Sequence, residues 1–338
     1  MKQLIGFTGY EQFCAGQDVT SCASMTEKLA QYNVYSVLDY ANEHTTSAMD
    51  YNHNATMVLE TIEAAKNNPA YPFAVVKPTA IGSFKLYQKM GAGYKLTTSE
   101  QLIWTAMQQR FEQLACAAAQ ATVILMIDAE ESWILDGVNL LVLPLFVKYN
   151  SDKVVLALTI QLYLKDRNLV YKSLLKDADE KGYVLGAKLV RGAYMEKERN
   201  RSAVLNISNT VCETKDATDN QYRDALQSAM QALDKHFCIV ATHNQSDINW
   251  VVDYCSKNNI SVRNSNLWFS QLYGMRDYIS FSLAEQGANV FKYVPFGPLE
   301  QAVPYLIRRA LENSAMKSQT LQECLMIKNE LRRRKING

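Results

Sequence analysis

The sequence is short of every feature that would mark a specialised environment. Lys+Arg 35 against Asp+Glu 34 leaves a net charge of +1, so there is no basic footprint for nucleic acid and no acidic one for a cationic partner. Seven cysteines (Cys14, Cys22, Cys116, Cys212, Cys238, Cys255 and Cys324) are odd in number and scattered. None forms a Cys-x-x-Cys pair, which excludes a zinc ribbon and fits buried thiols in a reducing compartment. Only 4 histidines occur, none with a second ligand at metal spacing, so no metal site is expected. The start "MKQLIGFTGYEQF" has too short an apolar run for a secretory signal. The longest greasy stretch, "VNLLVLPLFV", is too short to span a bilayer and contains Asn139 and Pro144. The chain is therefore expected to be soluble, or at most to lie on a membrane. With 7 prolines and 14 glycines in 338 residues and no low-complexity tract, nothing resembles a linker that would split it. "GAGYKL" (91–96) lacks the third glycine of a dinucleotide fingerprint and reads as a turn.

What is present is a repeated alternation. Short apolar, β-branched runs punctuate longer helical patterns: "VYSVLD" to Asp39, "FAVVK" to Lys77, "VILMID" to Asp128 and "VVLALTIQ" to Gln161. They continue with "GAKLVR" to Arg191, "CIVATH" to His243, "LWFSQ" to Gln271 and "NVFKY" to Tyr293. Eight such runs with helix-length segments between them predict an α/β protein with a (β/α)8 TIM-type barrel. The strands' C-terminal ends gather at one mouth, and each run here ends on a group that can hydrogen-bond or carry charge. Beyond the eighth run, "VPFGP" leads into a helix, with Pro298 suited to its first turn. In "VPYLIRRALEN" (303–313), Val303, Leu306, Ile307, Ala310 and Leu311 form an apolar stripe, while Tyr305, Arg308, Arg309 and Glu312 share another face. Paired guanidinium groups beside the mouth suit a carboxylate or phosphate.

Several motifs are specific. "IDAEES" (127–132), "KLVRGAYM" (188–195), "ATHN" (241–244), "YGM" (273–275), "KYVPFGP" (292–298) and "PYLIRRALEN" (304–313) resemble, in order and spacing, those of the proline dehydrogenase family. The resemblance runs from about Tyr10 to about Asn313 and is closest to the monofunctional form, since 338 residues leave no room for an aldehyde dehydrogenase domain. It implies one barrel domain: a helical lead-in over 1–33, a barrel over 34–313, and a C-terminal helix and basic tail over 314–338. It also implies FAD as cofactor, L-proline as substrate, Δ1-pyrroline-5-carboxylate as product and a quinone as electron acceptor. A pyrroline-5-carboxylate dehydrogenase would act downstream. No nucleic-acid partner is expected. The location implied is cytoplasmic, with peripheral contact at the inner face of a membrane as an option.

Residue by residue, the resemblance places Lys77, Arg308 and Arg309 on the substrate carboxylate, with Glu312 beside the arginines. Leu272, Tyr293 and Tyr305 would wall the ring. Lys77, Asp128 and Lys188 match catalytic positions. Asp128, Gln161, Lys188, Val190, Arg191, Gly192, Ala193, Tyr194, Thr242, His243 and Gln271 match positions around the flavin. Thr214 and Lys215 would meet its far end. Glu43 aligns with an acid that closes the pocket by pairing with Arg308. Position 188 is lysine where many bacterial members have arginine. Tyr293, where hydroxyproline-preferring members have a smaller residue, marks the proline-preferring branch. A Schiff-base lysine lyase, a hydroxyproline dehydrogenase and a non-catalytic amino-acid binder are the alternatives.

Overall fold

The computed structural model describes residues 10, 12–41, 47–300, 302–303 and 305–307. Glu43, Arg308, Arg309 and Glu312 lie outside the described residues, as does the tail over 314–338. A lead-in helix α1 (Ala23–Ala30) precedes eight parallel strands that close into a barrel in sequence order. The first half runs β1 (Val34–Tyr40), α2 (Ala48–Asn67), β2 (Phe73–Val76), α3 (Pro78–Ile81), α4 (Phe84–Gly91), α5 (Thr98–Ala121), β3 (Ile124–Ile127), α6 (Ser132–Tyr149) and β4 (Leu156–Gln161). The second half runs α7 (Arg167–Lys181), β5 (Gly186–Val190), α8 (Met195–Leu205), α9 (Lys215–Gln231), β6 (Phe237–Ala241), α10 (Gln245–Lys257), β7 (Leu267–Leu272), α11 (Asp277–Glu285) and β8 (Val290–Phe296). This is the TIM-type barrel that the alternation predicts.

Local chemistry sets the helix ends. Thr97 and Glu100 form a reciprocal capping box at the start of α5, and Ser47, Thr214 and Asn244 cap α2, α9 and α10 through their side-chain oxygens. Gly182, at φ 71°, ends α7 in the left-handed conformation glycine tolerates. Gly93, at φ 76°, makes "GAGYKL" the turn its composition predicts.

Strand parity then decides what faces where. Val37, Phe73, Val75, Met126, Ala157, Phe237, Ile239 and Phe291 point inward and plug the barrel. Phe73 lies 4.6 Å from Phe291 and 4.9 Å from Trp268, ring centre to ring centre. Alternate residues point outward into the larger core under the helices. With the floor packed solid, only the C-terminal rim is open to chemistry.

Three expectations need adjusting. The eighth strand continues past Tyr293 to Phe296, carrying Pro295 within it. Strand β7 ends where Leu272 meets Tyr293, so Pro295 pairs only with Asp39 of β1, and its missing N–H leaves no ladder bond unmade. The greasy run around Leu141 belongs to α6, 18 residues and by composition long enough to cross a membrane. Its Ile134, Val138, Leu141, Val142, Leu145 and Phe146 are instead buried in the molecule. Finally, the last helix buries Ala302, Tyr305 and Leu306, whereas Val303 and Ile307 are exposed. The face that meets the barrel is thus the one carrying Tyr305, because Phe13, Cys14 and Met275 supply an apolar seat there.

Candidate active site

The inward parity of the strands delivers four charges to one mouth. Asp39, Lys77 and Asp128 follow the inward Val37, Val75 and Met126 by two positions, and Lys188 has the same parity through Gly186, the register partner of the inward Ala157. The lysines alternate with the carboxylates: Lys77 pairs with Asp39 and Lys188 with Asp128. Tyr293 stands among them. Its hydroxyl donates to Asp128 Oδ2 at 2.6 Å, and its ring lies 5.0 Å from the Lys188 ammonium and 6.0 Å from that of Lys77. Burial works against the Asp128 charge, but Lys188 and Lys77 outweigh it and hold the carboxyl below its usual range. Burial and the neighbouring Asp128 and Asp39 push the Tyr293 phenol well upward, so it stays protonated and donates.

The motif "IDAEES" organises the rim around this cluster. Asp128 faces the mouth. Glu130, buried, accepts from the Thr79 amide at 2.9 Å and the Thr79 hydroxyl at 2.7 Å, fixing the short helix α3 that directly follows Lys77. Glu131 binds Lys197 at 2.6 Å. Ser132, which opens α6, gives its amide (2.6 Å) and hydroxyl (2.7 Å) to Glu198 of α8. One loop thereby grips the turns that follow β2 and β5.

Arg191 lies to one side of the mouth in a dense polar network. Its Nε donates to Asp219 at 2.8 Å, one terminal nitrogen donates to Thr242 Oγ1 at 3.0 Å and the other to Asp247 at 2.8 Å. Asp219 also holds Lys215, and Asp247 also holds Arg223 at 2.7 Å. The guanidinium lies 4.5 Å from the Tyr222 ring centre. Thr214, Lys215, Arg191 and Thr242 are thus brought together. Gly192 and Ala193 lead from there over the mouth, both exposed, and Tyr194 is buried beneath Lys197. Gly192 adopts φ 129°, and a Cβ on it would lie 1.6 Å from the Tyr163 ring, so no larger residue fits.

Leu272 closes the opposite side, packing against both the barrel plug and the cluster that holds Tyr305. His243 Nε2 accepts from the Leu272 amide at 3.1 Å, which makes it a brace for that wall. Val190 gives its carbonyl to the Leu162 amide at 2.8 Å. Gln271 faces away from the mouth: Ser280 donates to its Oε1 at 2.7 Å, and its Nε2 reaches the Thr242 carbonyl at 3.3 Å. Its polarity at a strand end serves the β7–α11 interface.

Sequence reasoning gave Asp39 no role beyond a strand end, yet it is the partner of Lys77, and its parity with Val37 was the available signal. Asp219, Asp247, Glu130, Glu198 and Lys292 were missed because each acts across a loop or helix that only the folded chain brings near.

A closed eight-stranded parallel barrel whose rim carries paired lysines and carboxylates beside an apolar wall has the architecture of a barrel enzyme. The comparisons identify which. The family model described as proline dehydrogenase matches residues 22–322, and the chain belongs to that family of oxidoreductases. The carbapenem antibiotics biosynthesis protein CarD of Pectobacterium carotovorum is 31% identical over 96% of this chain and 84% of its own length. Mitochondrial proline dehydrogenase 1 of Dictyostelium discoideum is 30% identical over 98% of this chain, which spans 65% of that protein. The human mitochondrial proline dehydrogenase 1 is 36% identical over 72% of the chain and 41% of its own length. Proline utilization A from Bdellovibrio bacteriovorus, in a structure inactivated by N-propargylglycine, superposes with a TM-score of 0.79 at 20% identity. That match covers 92% of this chain and 33% of the other, and shows the shared fold.

Proposed function

We propose that this chain oxidises L-proline to Δ1-pyrroline-5-carboxylate with bound FAD and passes the electrons to a quinone, the first step of proline catabolism. The observation that carries the reading is the mouth itself: Lys77–Asp39 and Lys188–Asp128, with Tyr293 bonded to Asp128, set opposite the apolar Leu272.

The residues present fit a flavin. Gln161 is 2% exposed and its Oε1 meets no donor, which leaves a buried acceptor aimed at the mouth beside Asp128. An acceptor of that kind suits the ring N–H of an isoalloxazine. The exposed backbone of Gly192 and Ala193 runs along the same rim, and the Arg191–Lys215 network with the N-termini of α9 and α10 suits the anionic tail. Asp128, Gln161, Lys188, Val190, Arg191, Gly192, Ala193, Tyr194, Thr214, Lys215, Thr242 and His243 would hold the group. FAD, when bound, supplies the two-electron acceptor for the hydride that leaves proline C5.

The chain's own residues bind and orient. Lys77, Arg308 and Arg309 receive the substrate carboxylate, with Glu312 beside the arginines. Leu272, Tyr293 and Tyr305 hold the ring flat and keep water away. Asp128 is held ionised by two lysines and is a weak base, so the amine sheds its proton to solvent on binding. Glu43 closes the pocket against Arg308. A lysine nucleophile is disfavoured because both mouth lysines are paired with carboxylates. The protein works in a reducing compartment, in the cytoplasm or against the inner face of a membrane, and a pyrroline-5-carboxylate dehydrogenase takes its product.

The purified protein should be yellow, release free flavin on acid or heat treatment, and bleach when proline is added without air. A folded, colourless preparation that takes up no FAD overturns the reading.

A further inference from the structure

Lys292 is fully buried and points away from the mouth, opposite Gln271 in the register of β7 and β8. A buried ammonium is costly unless each of its three hydrogens finds an acceptor. Here they reach the Met275 carbonyl at 2.6 Å, the Asp277 carboxylate at 2.7 Å and the Leu272 carbonyl at 3.5 Å. All three acceptors belong to the turn between β7 and α11.

That turn needs an outside restraint. Gly274 and Arg276 both sit in the left-handed region, at φ 74° and 55°, and for arginine that conformation carries a steric penalty. A Cβ on Gly274 would lie 2.2 Å from the Gln12 carbonyl, so the lead-in segment clamps the turn from above. Its two apolar residues face the site from one side. Leu272 walls the mouth, and Met275 packs with Phe13, Ala302, Tyr305 and Leu306, the cluster that seats the last helix.

We infer that Lys292 is a positioning residue that sets the ring size the site accepts, by locking the turn that carries Leu272 and seats Tyr305. This rests on the reading of the mouth as a proline site. The turn is strained and would relax without its three-way anchor. Relaxation would move the wall outward on the side where a larger ring needs room. An extra ring methylene is normally rejected by about 10–200-fold in a pocket of fixed shape, so part of that rejection should vanish.

The test compares kcat/KM for L-proline and for six-membered L-pipecolate in the flavin-loaded wild type, Lys292→Met and Asp277→Asn. Lys292→Met keeps the side-chain bulk and removes every donor. Asp277→Asn, at a half-exposed position, loses only the charge on one acceptor and protects the test should the first variant fold poorly. The pipecolate-to-proline ratio should rise about 10-fold in Lys292→Met and about 2-fold in Asp277→Asn, with flavin content unchanged. If wild type oxidises proline and the ratio in the folded variants equals that of wild type, Lys292 merely stabilises and the inference is overturned. A wild type that leaves proline untouched overturns the proline reading itself.

Discussion

Tyr293 donates its phenol hydrogen to Asp128 across the mouth, joining β8 to β3 at 2.6 Å. The same carboxylate is the counter-charge of Lys188, whose side chain is 6% exposed. Asp128→Asn should therefore cost far more than Tyr293→Phe. The first leaves a buried ammonium without its anion, worth roughly 3–5 kcal/mol; the second loses one hydrogen bond, worth about 1 kcal/mol. Urea unfolding of both variants checks the order, and equal losses would show that Lys188 finds another partner.

Gly192→Ala should strip the protein of flavin. The added methyl would lie 1.6 and 1.7 Å from two atoms of the fully buried Tyr163 ring, which has no room to withdraw. The segment over the mouth must lift instead. The ratio of flavin to protein absorbance after purification measures this, and wild-type occupancy would mean the segment shifts without consequence.

Acid should weaken the fold through His236. Burial holds its imidazole below the ordinary value, with Lys235 adding to that and Asp179 opposing it. Its Nδ1 accepts from the Leu185 amide at 3.1 Å, a bond that a second ring proton would abolish. The unfolded chain takes up this proton near pH 6.5, before the folded one does. Stability from this group is then complete above pH 6.5 and is lost as pH falls through the lower folded value. Denaturation midpoints between pH 5 and 7.5 should slope downward toward acid, and His236→Gln should flatten the slope.

Arg309→Met should lower kcat/KM for proline by about one to two powers of ten, the worth of a charge-assisted clamp of roughly 1.5–3 kcal/mol, while flavin stays bound. Unchanged kinetics would make the arginine a solvated helix residue.

Glu43→Ala should raise the apparent proline Kd more than it slows flavin reduction at saturation, by the ~1 kcal/mol of a partly solvated rim pair. Stopped-flow reduction across a proline series separates the two effects.

The barrel was legible because its signal is periodic. The gathering of strand ends at one mouth was enough to bring Lys77, Asp128, Gln161 and Tyr293 together, and the fold adds the strand parity that turns them inward. Polarity alone was a poorer guide. Gln271 ends a strand like the others, yet its neighbour Leu272 has the inward parity, and Gln271 is satisfied by Ser280 of α11. The Lys77–Asp39 pairing depends on which strands are neighbours, and the anchoring of Arg191 by Asp219 and Asp247 depends on how α9 and α10 pack. Neither distance is written in residue spacing. Of the apolar stripe expected in the last helix, Leu306 is buried while Val303 and Ile307 are exposed, because the seat made by Phe13 and Met275 takes up Ala302, Tyr305 and Leu306.

Barrels of this type are often treated as frames whose rim loops can be exchanged one at a time. The segment Asp128–Ser132 argues against that practice here. Glu130 fastens the turn after β2, and Glu131 and Ser132 fasten the helix after β5 through Lys197 and Glu198. A graft replacing the Asp128–Ser132 loop alone would strand its partners in both other loops, and one replacing either of those would strand its partner in the Asp128–Ser132 loop. Redesign of this rim, or its drift over evolutionary time, would have to carry all three loops together as one inherited unit.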